Sequence, residues 1–287
     1  MRPQFAFLDS GTGGIPYMLY LKQHFPEARC VYLGDTANFP YGEKSADEVI
    51  ACTKKAVSLI LDTFNPEAIV IACNTMSVTA LAAVREAFTE VPFVGTVPAI
   101  KLAAAMTENK CIGLLATRQS VNNPYTEKLI ADFASDCRVV KRGDPDLIEF
   151  IEKKLFTASE AERVAAVAPA VEYFRSQGAD TIILGCTHFI HMAEDIQKAA
   201  GSGIRVIDSR EGVVKQAMRV IGGTSKADKS ASGADGFVST DLHKAAEASL
   251  KGCSFEDMTF YITGDGDRAE YETLAANLKI PFGGKLK

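Results

Sequence analysis

Two short stretches, AIVIACNTMS at 68–77 and TIILGCTHFI at 181–190, decide how the chain is read. Each is an apolar run, one small residue, a cysteine and two hydrogen-bonding residues: Asn74-Thr75 after Cys73, and Thr187-His188 after Cys186. A run without polar alternation suits a strand buried on both faces, as in a parallel sheet covered by helices. The residues after it are placed to open a helix. In open α/β sheets ligands bind beyond the carboxyl ends of the strands, where both cysteines fall. A thiol at a helix N-terminus has its thiolate favoured by the helix dipole. Two related halves facing each other would bring the thiols to opposite sides of one cleft.

The same rhythm extends outward. Upstream, strands are expected at Phe5–Leu8, 31–33 and Phe93–Gly95, with helices over 15–25, 46–64 and 77–88. In 46–64, Val49, Ile50, Val57, Ile60, Leu61 and Phe64 follow the three- and four-residue spacing of an amphipathic helix. Downstream, strands at 111–116, 138–140 and 204–207 alternate with helices over 120–134, 145–155, 159–176 and 189–200. The polar stretch GGTSKADKSASGADG at 222–236 reads as a loop. A helix over 241–250, a strand at 258–262 and a last helix over 267–278 follow. This layout predicts an α/β fold in two halves: a discontinuous first domain, 1–97 plus 208–287, and a second domain, 98–207.

At 287 residues the chain has room for one large or two small domains. Its 47% hydrophobic and 23% charged residues argue against disorder. A net charge of −5 argues against a nucleic-acid partner, which calls for a basic patch. No apolar run is long enough for a membrane span, and MRPQFAFLDS is too short in its apolar part for a secretory signal. The seven cysteines (Cys30, Cys52, Cys73, Cys111, Cys137, Cys186 and Cys253) contain no CxxC pair, which suits a reducing cytoplasm.

Taken singly, each cysteine reads as a small buried hydrophobe. Cys73 and Cys186 depart from that reading because polar residues follow each at the ligand edge. Two thiols on opposite faces of a substrate suit inversion of a stereocentre beside a carboxylate: one removes the α-proton, the other returns a proton to the opposite face. A zinc site of Cys73, Cys186 and His188 is a rival without a clustered fourth ligand. A redox disulfide is another, without its signature spacing. In DSGTGG at 9–14, Asp9 could cap a helix, or serve the neighbouring thiol, while the glycines present amides to an anion. FPYG at 39–42 is a proline turn with a packed tyrosine, or a carboxylate grip using Tyr41 and the Gly42 amide. His188, two residues from Cys186, could exchange that thiol's proton. His191 is expected on a helix surface.

Together, FLDSGTGG (7–14), YLGDTANFPYG (32–42), IACNTMS (71–77), GTVPAIK (95–101), GLLATRQSV (113–121), ILGCTH (183–188), VIDS (206–209) and FYITGD (260–265) resemble the glutamate racemases of the aspartate/glutamate racemase superfamily. The resemblance implies two similar α/β domains with mainly parallel sheets, pseudo-twofold related, and an active site in the interdomain cleft. It implies that Cys73 and Cys186 are the two proton donors and acceptors, Asp9 assisting the first and His188 the second. It implies substrate contacts from Asp9, Ser10, Tyr41, Gly42, Asn74, Thr75, Thr117, Thr187 and His188. The family's site glutamate falls in GDPDLIEFIEK at 143–153, where Glu152 fits by spacing and Glu149 is the runner-up. Three departures are GDPDL at 143–147, where the family usually has a Cys-Pro-containing stretch before that glutamate, Ile190, where the family commonly has proline, and Asn122-Asn123-Pro124 after the second-half strand.

The implied activity is interconversion of L- and D-glutamate by a two-cysteine mechanism, with no cofactor and no metal, supplying D-glutamate for peptidoglycan. The expected partner is the small-molecule substrate glutamate, with no nucleic acid and no membrane; relatives of this type often form homodimers. The alternatives are an aspartate or other amino-acid racemase of the superfamily, and a catalytically inactive binding or regulatory protein.

Overall fold

The computed structural model describes residues 2–222, 257–265 and 268–287. Most of the polar stretch at 222–236, the helix expected over 241–250 and Cys253 lie outside the described residues. Two sheets organise the chain. The first has six strands in the order β10-β9-β2-β1-β3-β4, namely β1 (Phe5–Asp9), β2 (Cys30–Gly34), β3 (Ala68–Ile71), β4 (Phe93–Gly95), β9 (Met258–Ile262) and β10 (Phe282–Lys285). The second has four in the order β6-β5-β7-β8: β5 (Cys111–Ala116), β6 (Arg138–Gly143), β7 (Thr181–Leu184) and β8 (Arg205–Ile207). Every strand pairing among the described residues is parallel.

The central strands β1, β3, β5 and β7 are buried at every position, so their apolar runs without alternation are the signature of two covered faces. Burying each Phe, Ile or Leu in them stabilises the fold by about 1.5–3 kcal/mol. Their registers align the strand ends. Leu8 pairs with Ile71 in one sheet and Leu115 with Leu184 in the other, so Asp9, Cys73, Thr117 and Cys186 all lie at carboxyl edges.

The helices are α1 (Ile15–His24), α2 (Ala46–Phe64), α3 (Asn74–Ala87), α4 (Ile100–Met106), α5 (Arg118–Val121), α6 (Pro124–Phe133), α7 (Pro145–Lys153), α8 (Glu160–Ser176), α9 (Ala193–Ala200), α10 (Arg210–Val220) and α11 (Arg268–Asn277). Helix α2 matches its expected span because its ends are encoded locally. Ser45 and Glu48 form a reciprocal capping box, and Asn65 closes the other end in the left-handed conformation at φ 46°.

Three expectations are corrected. The helix expected over 120–134 is two helices. Pro124 opens α6 and holds Asn123 extended, where the Asn123 side chain caps the Tyr125 amide. The residues after Cys186 form a 3-10 segment, Thr187–Met192, before α9 begins. Helices α4 and α10 and strand β10 were not expected. Among the described residues, no helix is long and apolar enough to cross a membrane.

Candidate active site

Cys73 lies just beyond β3 and occupies the N-cap position of α3. Its side chain is buried and its sulfur lies 4.0 Å from Ser10 Oγ. Burial, and next the negative charge of Asp9, push its thiol well above the ordinary range; the charge of Cys186 adds to this, against the amides of Met76 and Ser10. The two sulfurs therefore share one electrostatic neighbourhood.

Cys186 stands in the same relation to β7 and to the 3-10 segment after it. Its sulfur is 3.7 Å from His188 Nδ1. The other ring nitrogen, Nε2, is 2.8 Å from Glu152 Oε2. That oxygen also accepts from the Thr12 hydroxyl at 2.7 Å and the Thr12 amide at 3.1 Å. Glu152 Oε1 accepts from the Tyr271 hydroxyl at 3.2 Å. Burial opposes charge on both partners of the His188–Glu152 pair, and their mutual bonding outweighs it. Glu152 is held below the usual carboxylate range, with Thr12 contributing. His188 is held well above the usual imidazole range by Cys186 and Glu152.

Asp9 joins the two sides. Its Oδ1 accepts from the Gly11 amide at 2.9 Å and from Ser10 Oγ at 3.1 Å; its Oδ2 accepts from Thr187 Oγ1 at 2.8 Å. The Asp9 carboxyl is fully buried, which raises it above its ordinary range against the pull of His188 and of its hydrogen bonds. A continuous polar line thus runs from Cys73 through Ser10, Asp9 and Thr187 to the Cys186 segment, and on to His188, Glu152 and Thr12. Two glycines of the DSGTGG loop make this approach feasible. A Cβ on Gly11 would sit 2.7 Å from Glu152 Oε1, and one on Gly13 would sit 2.5 Å from His188 Nδ1.

A second cluster flanks this line. Thr75 Oγ1 and Thr117 Oγ1 are 3.0 Å apart, and Thr117 also caps α5 through the Ser120 amide. Gly42 lies against Thr117, where a Cβ would approach to 2.9 Å. The Tyr41 hydroxyl donates to Asp35 Oδ2 at 2.5 Å, so this tyrosine offers a ligand its backbone rather than its hydroxyl. Asn74 donates to the Thr96 carbonyl, while its Oδ1 is buried with no hydrogen-bond partner among the described residues.

The contacts of the two candidate glutamates differ, and the surface position expected for His191 is corrected. Glu152 packs on His188, whereas Glu149 is exposed and pairs with Lys153 at 2.7 Å. His191 is not a bare surface residue. Its Nε2 is 3.1 Å from the Thr12 carbonyl, its ring lies edge-on to Phe156, and burial pushes its imidazole down to about 4.

A family model described as Asp/Glu/hydantoin racemase matches residues 19–217. The chain belongs to this racemase family. It is 43% identical over 217 residues to the glutamate racemase of Treponema pallidum (strain Nichols), covering 76% of this chain and 81% of that relative. It is 39% identical over 218 residues to that of Proteus mirabilis (strain HI4320), covering 75% and 74%. The crystal structure of Escherichia coli glutamate racemase, in complex with L-glutamate and the activator UDP-MurNAc-ala, is similar at a TM-score of 0.78 and 28% identity, over 100% of this chain and 98% of that one. A glutamate racemase isoform of Bacillus anthracis shares the fold at a TM-score of 0.76 and 24% identity, over 99% and 97%.

Within this racemase, four contributors escaped the sequence reading. Thr12 lies inside the DSGTGG motif, where the glycines are the visible signal. Tyr32 holds the same loop by donating to the Gly11 carbonyl at 2.9 Å and accepting from the Gly14 amide at 3.0 Å. Asp35 clamps Tyr41 and accepts from Thr263 Oγ1 at 2.6 Å. Tyr271 lies in α11, beyond the residues that the family model matches, and no local motif marks it.

Proposed function

We propose that the chain interconverts L- and D-glutamate by moving a proton on and off the α-carbon with Cys73 and Cys186, and that D-glutamate so made feeds peptidoglycan synthesis in the cytoplasm. The observation that carries this reading is the polar line that joins the two thiols through Ser10, Asp9 and Thr187. Relatives at 43% and 39% identity bear the name glutamate racemase, which supports the substrate. On this reading the segments 1–97 with 208–287 and 98–207 form two domains, each bringing one cysteine to the substrate.

Proton bookkeeping assigns the roles. One sulfur, as thiolate, takes the α-hydrogen as a proton and becomes a thiol. The electron pair left on carbon is shared with the adjacent carboxylate. The other sulfur, as thiol, gives its proton to the opposite face and becomes a thiolate. The thiol and thiolate have then exchanged places, which is the state required for the reverse reaction. Asp9 serves the Cys73 side and His188 the Cys186 side, with Glu152 and Thr12 fixing the imidazole. Asn74 Oδ1, a buried acceptor without a donor among the described residues, suits the substrate ammonium. Hydroxyls of Ser10, Thr75 and Thr117, with amides of Gly42 and the α3 start, suit its carboxylates. An α C–H is a weak acid, so fixed dipoles must stabilise the developing charge where water is excluded; Cys73 and Cys186 are 5% and 4% exposed.

The test is incubation of purified protein with L- or D-glutamate, or aspartate, in deuterated water without added cofactor. Glutamate should racemise and take up deuterium at the α-carbon. Cys73→Ser and Cys186→Ser should each lower kcat/KM by at least about 100-fold, the usual worth of an acid–base group. The loss must be equal in both directions, because enantiomers have an equilibrium constant of one. Faster turnover of aspartate would overturn the substrate assignment. Unchanged rates in both variants would overturn the two-thiol mechanism.

A further inference from the structure

The Glu152 carboxylate is held unequally. Its Oε2 faces three donors, the Thr12 amide, the Thr12 hydroxyl and His188 Nε2. Its Oε1 takes the Tyr271 hydroxyl at 3.2 Å. A carboxylate gripped at one oxygen can still pivot about that bond, and a donor on the second oxygen fixes its plane. Tyr271 is itself fixed. It is half-buried on α11, and its ring packs edge-on against Phe260 of β9, with centroids 6.1 Å apart. Strand β9 pairs with β2 along five residues, Cys30↔Met258 through Gly34↔Ile262. The hydroxyl therefore projects from a strand–helix unit anchored in the six-stranded sheet. That unit begins beyond residue 217, where the family match ends.

We propose that Tyr271 is a positioning residue for the reaction: its hydroxyl fixes Glu152 so that the carboxylate aligns His188 on the Cys186 sulfur. The segment bearing β9 and α11 then completes the acid–base machinery of the second thiol, and α11 acts on turnover without touching substrate. The kinetic arm rests on the racemase reading above. Among the described residues, the charged and titratable groups facing Glu152 and His188 are Cys186, Asp9, His191, Tyr32 and Tyr271. Among them Tyr271 bonds directly to Glu152 Oε1, so removing its hydroxyl alters one contact and leaves the others in place.

The test is Tyr271→Phe in the full chain, which keeps the ring on Phe260 and deletes the hydroxyl. Losing a donor destabilises the carboxylate anion, so the Glu152 carboxyl should titrate higher than in the parent. It can be followed by carbon NMR on glutamate-labelled protein, with Glu152→Gln assigning the signal. That measurement needs no substrate, so it reads the contact whether or not glutamate is turned over. In kinetics, kcat/KM should fall about 3- to 10-fold, mainly in kcat, and its acid limb should move to higher pH. An unmoved Glu152 titration would overturn the proposal. So would a rate loss accompanied by a lower melting temperature and an unshifted acid limb, because α11 would then only support packing.

Discussion

Glu152 shows how one residue's role depends on partners that are remote in sequence. Spacing alone left it beside Glu149 on the same helix. What separates them is the fold: Glu149 meets Lys153 in solvent, while Glu152 meets Thr12, His188 and Tyr271 from three other segments. Cys73 and Cys186 were legible because the polar residues that mark them, Asn74-Thr75 and Thr187-His188, follow directly in the chain; Glu152's partners do not. After the hydrogen bond with Cys186, the hydrogen bond and charge of Glu152 help raise the His188 imidazole above its usual range. Glu152→Gln keeps the shape and removes the charge. The His188 pKa should fall, so activity that depends on the imidazolium should be lost at lower pH than in the parent. The drop in kcat/KM should reach about 10- to 100-fold. A pH–rate profile whose alkaline limb stays in place would refute this assignment.

At the scale of elements, the legible parts were those with local grammar. Strands β1, β3, β5 and β7 announced themselves as apolar runs, and α2 by its periodicity and its caps. Strand β10, Phe-Gly-Gly-Lys, has almost no side chain to pattern and forms because β9 offers it an edge. The strand-to-helix loop at 9–14 sits between these extremes. Its glycines are visible, but their purpose is the closeness of the second sheet's residues. Gly13→Ala should force its methyl into His188 Nδ1 and Thr187 Oγ1, at 2.5 and 2.6 Å. Activity should fall by at least about tenfold as the imidazole is displaced by a fraction of an ångström. Gly212→Ala is the matched control within α10, where an added Cβ meets nothing within 4 Å. It should leave kcat/KM unchanged and raise stability by about 0.5–1 kcal/mol through helix propensity. Equal activities for the two variants would remove the steric argument for the loop.

At the scale of the molecule, burial that serves the site and the core also sets the pH range in which the fold is stable. The His191 imidazole is pushed from 6.5 down to about 4, so the folded chain resists a proton that the unfolded chain accepts. Its contribution is complete above about pH 6.5 and is lost as pH falls toward 4. Cys30, inside the six-stranded sheet, is pushed from 9.0 up to about 12. Its contribution is complete below about pH 9 and is lost as pH rises toward 12, because the unfolded thiol ionises first. Cys73 acts in the same sense as Cys30. The three-unit displacement of Cys30 corresponds to at most about 4 kcal/mol at the alkaline end. Urea midpoints measured from pH 4 to 11 should therefore fall on both sides of a maximum between these limits. His191→Leu should flatten the acid slope and leave the alkaline one. Cys30→Ala should lower the midpoint at neutral pH through lost packing, yet flatten the slope above pH 9. Parallel curves for parent and variants would mean that these buried groups do not govern the profile.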